Sequence, residues 1–300
     1  MKNAVLYLTT VLIWGSTWLA IEFQLGETAV VTSVFYRFAI ATILMWVYCL
    51  TFKVNMSFDL KSHGFIVLLA LFNFSFNYVL IYQSQEYLTS AMTCIVFSTM
   101  LLMNIVNTRI FFGDTISPKV YIGAIFGLIG LVVLFWNELN TPGSATLTGL
   151  FFGLGAAFIA SLGNMVSVRN SRAGMHVLSV NAWGMLYGTV ALSLIIIFSD
   201  TGFQITWTTS YISSLVYLAV FGTVVAFATY YILLNDMGPE KASYAIVLFP
   251  LVAVALSSVF EDFEWSFNTF AGFALVLIGN AIILAPDSKR ARIEKKPVTG

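Results

Sequence analysis

Charge is what this sequence has least of. Only 9% of its 300 residues are Asp, Glu, Lys or Arg, while 59% are hydrophobic. Mean hydropathy is +0.90. Soluble domains carry about 25% charged residues, so this balance excludes an ordinary water-soluble fold. Histidine and cysteine are scarce as well: His63, His176, Cys49 and Cys94 are the full set. Neither histidine stands at a metal-ligand spacing, and no Asp or Glu lies deep in an apolar segment. Hydrolytic or metal-dependent catalysis therefore lacks the convergent groups it needs. Both cysteines fall inside apolar segments, which reads as packing rather than a disulfide or metal site. No Walker-type phosphate loop occurs, so ATP does not drive the protein directly. With 14 basic and 14 acidic residues, the net charge offers nothing to nucleic acid. No cofactor is called for.

What the sequence has in quantity is apolar length. Ten segments of about 20 residues each match the roughly 30 Å hydrocarbon layer of a bilayer. They are Ala4–Phe23, Ala29–Leu50, His63–Tyr82, Thr89–Phe112, Val120–Trp136, Leu147–Val168, Val177–Phe198, Tyr211–Leu234, Ala242–Phe260 and Phe267–Ala285. Backbone polar groups in lipid need partners within the segment, so each is predicted to be a transmembrane helix. The first has a long apolar run and no small-x-small pattern after Phe23, so it reads as a helix and not a signal peptide. The connections between segments are too short to hold a soluble domain.

The few charges are ordered. Thirteen of the 14 basic residues lie at one set of alternating segment ends: Lys2, Lys53, Lys61, Arg109, Lys119, Arg169, Arg172, Lys241, and the tail Lys289, Arg290, Arg292, Lys295, Lys296. The other five connections carry Glu22, Glu27, Glu86, Glu138, Asp200, Glu261, Asp262 and Glu264 and no Lys or Arg. Lys and Arg stay on the cytoplasmic side during insertion, which predicts an even number of spans with both termini inside. A short basic tail after the last span suits orientation or lipid-surface contact.

The two halves echo each other. Ile122-Gly123-Ala124-Ile125-Phe126-Gly127-Leu128-Ile129-Gly130 parallels Ala271-Gly272-Phe273-Ala274-Leu275-Val276-Leu277-Ile278-Gly279, and Ala91 through Thr99 parallel Ala242 through Pro250, at displacements of 149 and 151 residues. A unit of five spans is odd, so its second copy enters the membrane from the opposite side. A direct repeat in sequence then becomes an inverted repeat in space, an architecture of alternating-access carriers. The expected organisation is one five-helix unit over 1–140, a second over 141–286, and a basic tail over 287–300.

Trp14-Gly15-Ser16-Thr17 and Arg37-Phe38 resemble the opening of the EamA-type drug/metabolite transporters. Phe221-Gly222-Thr223, Tyr230-Tyr231, Gly238-Pro239-Glu240-Lys241-Ala242-Ser243 and Pro250 are similar to that family's eighth and ninth spans in order and spacing. The resemblance covers essentially the whole chain. It implies a bacterial inner-membrane carrier of ten helices, often an exporter of amino acids or related metabolites. Two positions depart from the pattern: Asp114 replaces the usual glutamate after the fourth span, and Thr99 stands where a proline would match Pro250. Pro250 is expected to bend the ninth helix, and the fourth has no proline to bend it.

Arg37 is the one basic residue within a span, roughly 12 Å below the surface at 1.5 Å per residue. An arginine at a helix centre costs about 2.5–3.5 kcal/mol on insertion scales, so it should face protein or water. It reads as an anchor for a substrate carboxylate, as a gate partner for Glu22, or as a structural arginine bonded to carbonyls. Its second-half counterpart falls near Trp183. Ser90, Thr93, Phe97, Met100, Asn104 and Asn107 share a face of the fourth helix, Asn73 and Asn77 a face of the third, and Ser161, Asn164 and Ser167 a face of the sixth. These faces predict either a polar cavity or interhelical hydrogen bonds. Trp14, Trp18, Tyr36, Tyr78, Trp183, Tyr187, Tyr230, Tyr231 and Tyr244 add aromatic walls for an amphipathic or ring-bearing solute. Gly123 and Gly127 form a GxxxG spacing for close helix approach, and Gly238-Pro239 ends the eighth helix. The candidate substrate-binding set is therefore Trp14, Trp18, Arg37, Asn73, Asn77, Thr93, Phe97, Asn164, Trp183 and Tyr244, with Glu22 as the gate or coupling candidate.

These features favour a secondary transporter of a small molecule within the lipid bilayer, driven by proton coupling or by simple exchange. A receptor or assembly subunit that moves no solute is the competing class. An organelle carrier of nucleotide sugars is the competitor within the family, and a diphosphate would call for more than one intramembrane cation.

Overall fold

In the computed structural model, described over residues 2–113, 115–139, 144–237, 245–261, 263 and 265–285, the apolar segments are helical and no strand occurs among the described residues. Helix α1 spans Lys2–Glu22 and α2 Val30–Thr51. Helix α3 is α-helical over Leu60–Leu71, π-helical over Phe72–Phe76, and α-helical again over Asn77–Gln85. Helix α4 comprises Ser90–Phe97 and Met100–Phe112. Then come α5 (Pro118–Leu134), α6 (Ala145–Arg172) and α7 (Val177–Phe198). Helix α8 runs Thr209–Ala219, a π segment Val220–Val225, and Ala226–Met237; α9 is Ala245–Phe260 and α10 Phe267–Leu284. Eight of these rods are long and apolar enough to cross a membrane, and α5 and α9 are shorter apolar helices. Leu8, Ile43, Ile110, Phe151, Val259 and Phe270 stand exposed on the outer surface. A continuous apolar exterior of this kind fits lipid and not water, so the chain is an integral membrane protein.

Side-chain caps set several helix starts. Asp59, Thr89, Thr208 and Ser266 accept from the backbone N–H of Ser62 (3.2 Å), Met92 (3.3 Å), Tyr211 (3.3 Å) and Thr269 (3.0 Å). The bonds from Ser62 hold the Asp59 carboxyl below its ordinary range. The Asp59 cap starts α3 at Leu60, ahead of the His63 that hydropathy suggests. The same helix continues past Tyr82 because its polar end is buried: Ser84 Oγ donates to the Gly149 carbonyl at 2.8 Å. Cys49 and Cys94 are both buried, free thiols.

The helix contacts follow an exchange rule. Helix α1 packs on α8 and α9, as α6 packs on α3 and α4; α2 meets α8, as α7 meets α3; α2 pairs with α7 and α5 with α10. The two π segments obey the same rule. In one, Ser75 Oγ bonds the Ala70 carbonyl at 3.2 Å; in the other, Thr223 Oγ1 bonds the Leu218 carbonyl at 2.9 Å. Both bonds reach five residues back, and donors and acceptors alike are 148 residues apart (223 − 75 and 218 − 70).

Glycines make the α5–α10 contact. A Cβ on Gly123 would lie 2.6 Å from the Gly279 carbonyl, and one on Gly130 would lie 2.7 Å from that of Gly272. Gly123 matches Gly272 in the repeat, and Gly130 matches Gly279, so the two contacts are mates under exchange of halves. The close approach expected from Gly123 and Gly127 is thus real but differently registered. A Cβ on Gly127 meets nothing within 4 Å, and it is the Gly127 backbone that Gly279 abuts.

Helix α4 breaks without a proline. Ser98 Oγ and Thr99 Oγ1 bond back to the Ile95 and Val96 carbonyls at 2.6 and 2.7 Å. Such hydroxyls compete with the backbone ladder and interrupt it. The fourth helix, which has no proline to bend it, is interrupted all the same at Ser98–Thr99, the position matching Pro250. Pro250 itself lies inside the helix Ala245–Phe260. Asp114, Gly238-Pro239 and Tyr244 lie outside the described residues.

Candidate functional site

Helix α2 carries Arg37 into the protein interior, where it is 2% exposed. The residue sits against the π segment of α8. Its Nε donates to Thr223 Oγ1 at 3.5 Å, and a Cβ on Gly222 would stand 3.7 Å from one guanidinium nitrogen. The guanidinium carbon is 4.7 Å from the Tyr78 ring centre and 5.8 Å from that of Phe38. Nη1 has no hydrogen-bond partner, and no carboxylate of a described residue pairs with Arg37. The hydroxyl of Tyr82, fully buried, stands beside the charge but makes no hydrogen bond of normal geometry. A buried cation without a counter-ion is expensive, by several kcal/mol in real proteins. The cation–π contacts offset only part of that, about 2 kcal/mol when desolvated.

The room for Arg37 comes from its surroundings. Next to the exchanged position in the other half, Met185, α7 has Gly184, and Phe74 of the α3 π segment fills the space; a Cβ on Gly184 would lie 2.7 Å from the Phe74 ring. The large and small residues are swapped between halves: Phe74 against Gly184, Arg37 against Gly222. No second charge pairs with Arg37 among the described residues.

The aromatic candidates divide. Trp18 is buried and its ring lies 5.4 Å from Phe97; Thr93 of α4 is fully buried nearby in sequence. Trp14 packs among Phe227, Tyr230 and Phe249 at 5.6, 5.0 and 5.3 Å, joining α1 to α8 and α9. Trp183 belongs elsewhere. It packs on Trp46 and His63, both at 4.8 Å, and its Nε1 donates to the Met56 carbonyl at 2.9 Å. Trp46 is nine residues beyond Arg37 on α2, roughly 13 Å along the helix axis. Trp183 is thus a clamp on the 52–58 connection.

The polar faces meet one another. Asn164 Nδ2 donates to Asn104 Oδ1 at 3.2 Å, Asn73 Nδ2 donates to Asn164 Oδ1 at 3.3 Å, and Asn107 Nδ2 donates to Ser161 Oγ at 2.9 Å. Asn77 is buried with its Oδ1 unpartnered. Two shallow, open surface concavities lie elsewhere, one lined by Trp207, Ile212, Val216, Tyr217 and Phe221, the other by Thr42, Ile43, Trp46, Val47 and Leu186. Of the two arrangements these faces allow, this conformation has the interhelical bonds: the amides join α3, α4 and α6. Asn164→Leu strands two amides, so it is expected to lower stability by about 1–3 kcal/mol, visible as a lower melting temperature in detergent.

Glu22 ends α1 within electrostatic reach of Glu261. Glu261 accepts from the Ser90 backbone N–H at 2.9 Å and from the Ser90 hydroxyl, at the start of α4. Glu22 makes no ion pair with Arg37.

Thr17, Tyr82, Gln85, Gly222 and Thr223 were not among the expected site residues. Gln85 lay past the apolar segment, and Thr223 stood in a recognised motif with no role attached. Tyr78, Tyr82 and Gln85 do recur at helical spacing, which was the available signal.

A polytopic helical membrane protein with one orphaned intramembrane cation is the class that fold and site define. The chain belongs to the EamA-like transporter family, whose sequence pattern it matches twice, over residues 1–136 and 147–285. It is 22% identical over 274 residues to "Uncharacterized transporter YoaV" of Bacillus subtilis, covering 91% of this chain and 93% of that protein. It is 24% identical over 285 residues to a "Probable amino-acid metabolite efflux pump" of Escherichia coli, with 93% of each chain covered. A crystal structure that is 19% identical superposes with a TM-score of 0.67 over 94% of this chain and 96% of the other, which shows a shared fold.

Proposed function

We propose that this protein is a secondary carrier of the bacterial inner membrane, both termini cytoplasmic, that exports a small amphipathic carboxylate by alternating access. An amino acid or a related metabolite is the substrate class. The observation that carries this reading is Arg37: a buried guanidinium with an unpartnered Nη1 and no counter-ion, set where α1, α2, α3 and α8 converge. A substrate carboxylate would supply the missing charge and hydrogen bonds. The exchange rule among the helices, the crossed glycine pairs and the matched π segments support two inverted five-helix units, 1–140 and 141–286. Single π turns inside α-helices are frequent at functional sites, and the π segment of α8 carries the Thr223 that Arg37 touches. The relative in Escherichia coli, named for amino-acid metabolite efflux, supports the substrate class.

The test is a mass-spectrometric profile of the medium around cells overproducing the native chain, compared with cells producing Arg37→Ala at equal membrane levels. One carboxylate-bearing metabolite class is expected to accumulate outside only with the native protein. Profiles equal to the empty-vector control in both cases would contradict export.

A further inference from the structure

Three buried polar atoms that make no hydrogen bond of normal geometry lie on or against one face of α3: Arg37 Nη1 and Tyr82 Oη, side by side, and Gln85 Oε1, three residues further along the helix. Tyr82 is fully buried and Gln85 is 4% exposed. Tyr78, Tyr82 and Gln85 are spaced by four and three residues, so they share one face of the helix. Tyr78 places that face over the Arg37 guanidinium. Helix α1 borders both ends of the group, with Thr17 against Gly222 beside Arg37, and the Trp18 carbonyl accepting from Gln85 Nε2 at 3.0 Å.

Donors and acceptors in this group do not balance. A carbonyl can only accept, so the bond to Trp18 identifies the bound end of Gln85 as nitrogen and leaves Oε1 as an acceptor without a donor. Arginine has no lone pair to offer, so neither Arg37 nor any other described group takes the Tyr82 proton. The Arg37–Tyr82 end therefore has spare donors and one positive charge. The Gln85 end, one turn further along α3, has a spare acceptor. Leaving buried groups in this state costs about 1–3 kcal/mol each, more for the charge.

We propose that Tyr82 and Gln85 are substrate-binding residues that complete the Arg37 site. This rests on the reading of Arg37 as a carboxylate anchor and adds the chemistry at the other end of the ligand. Arg37 and Tyr82 hold the carboxylate. Gln85 Oε1 accepts from an N–H donor on the neighbouring carbon, with the Trp18–Phe97 pair as the adjoining apolar wall. The ligand that satisfies all three atoms is a zwitterionic α-amino acid with an apolar side chain, not a simple carboxylic acid or an amine.

The test uses the purified full-length protein in lipid nanodiscs and direct binding measurements. The probes are phenylalanine and leucine, each beside its des-amino acid and its decarboxylated amine. The native protein is expected to bind the amino acids at least tenfold tighter than either analogue. Tyr82→Phe should weaken the amino acid and the des-amino acid alike, about tenfold. Gln85→Leu should weaken the amino acids about tenfold and leave the des-amino acids unchanged. Gln85→Glu retains the shape and should weaken the des-amino acids by adding a negative charge; its monodispersity guards against a folding artefact. Equal effects of Gln85→Leu on acids with and without the amino group would overturn the role of Gln85. Failure of all six compounds to bind the native protein would overturn the ligand class. Export of another metabolite that survives Tyr82→Phe and Gln85→Leu would sink this inference alone and leave the carrier standing.

Discussion

Replacing Arg37 with methionine is expected to abolish export while leaving the melting temperature unchanged or raising it. The argument is energetic. Arg37 is 2% exposed, its Nη1 is unpartnered, and its one protein hydrogen bond is a long 3.5 Å contact to Thr223. Removing a partner from a satisfied buried ion pair destabilises by about 3–5 kcal/mol, but here no pair exists to break. Methionine fills much of the same volume without a charge to desolvate, so stability should hold or rise. Loss of charged hydrogen bonds to a carboxylate, each worth about 1.5–3 kcal/mol, should reduce flux at least tenfold. The two readouts separate the roles. A structural arginine predicts a lower melting temperature with little change in flux, the reverse of the expected pattern. Binding proteins commonly retain such strained groups where function needs them.

The second large effect falls far from that site. Gly279→Leu is expected to leave little folded protein. Its Cβ would stand 2.5 Å from the Gly123 carbonyl oxygen and 2.7 Å from the Gly127 nitrogen, and backbone atoms cannot rotate away. Helix α10 would have to separate from α5, losing the packing along the glycine seam. Overpacking a well-filled interface typically costs about 1–3 kcal/mol, and a backbone clash lies at or beyond the upper end. Gly127→Ala is the matched control, since a Cβ there meets nothing within 4 Å. It should fold as the native chain does, because alanine also favours the helix by up to about 1 kcal/mol. Size-exclusion yield and melting temperature decide the matter. Native-like behaviour of Gly279→Leu would contradict the crossed-glycine contact.

How much of this was legible beforehand follows from which forces dominate. Hydropathy located each apolar segment because burial in lipid is the strongest term acting on these residues. It misplaced the start of α3, where the cap at Asp59 decides, and its end, where Ser84 and Gln85 are polar yet buried. The π segments left no trace in periodicity. One extra residue turns the helical phase by about 100°, but lipid-facing helices are apolar on most sides, so the shift leaves no polar stripe to break. Arg37 was legible as a buried cation because an arginine within a span has few alternatives. Its neighbours Tyr82 and Gln85 were not, since no sequence rule says which face of α3 meets α2. The amides of Asn73, Asn104 and Asn164 were legible as polar groups that lipid would not favour. Whether they close on each other or on water depends on how far apart the helices sit, which spacing along one helix does not encode. The Gly123–Gly279 and Gly130–Gly272 contacts required knowing that α5 and α10 meet antiparallel.

A carrier working by alternating access opens the Arg37 site, buried in this conformation, to each side of the membrane in turn. Thr17 provides the most direct probe, since its methyl lies against Gly222 and cysteine, which lacks one of the two γ substituents, fits the space it leaves. In a background with Cys49 and Cys94 changed to serine, a small membrane-impermeant thiol reagent would be applied to right-side-out vesicles and then to inverted vesicles. Alternating access predicts that Thr17→Cys is labelled in both orientations, and that a saturating substrate slows labelling from each side. Labelling from one side only, or from neither, would contradict it.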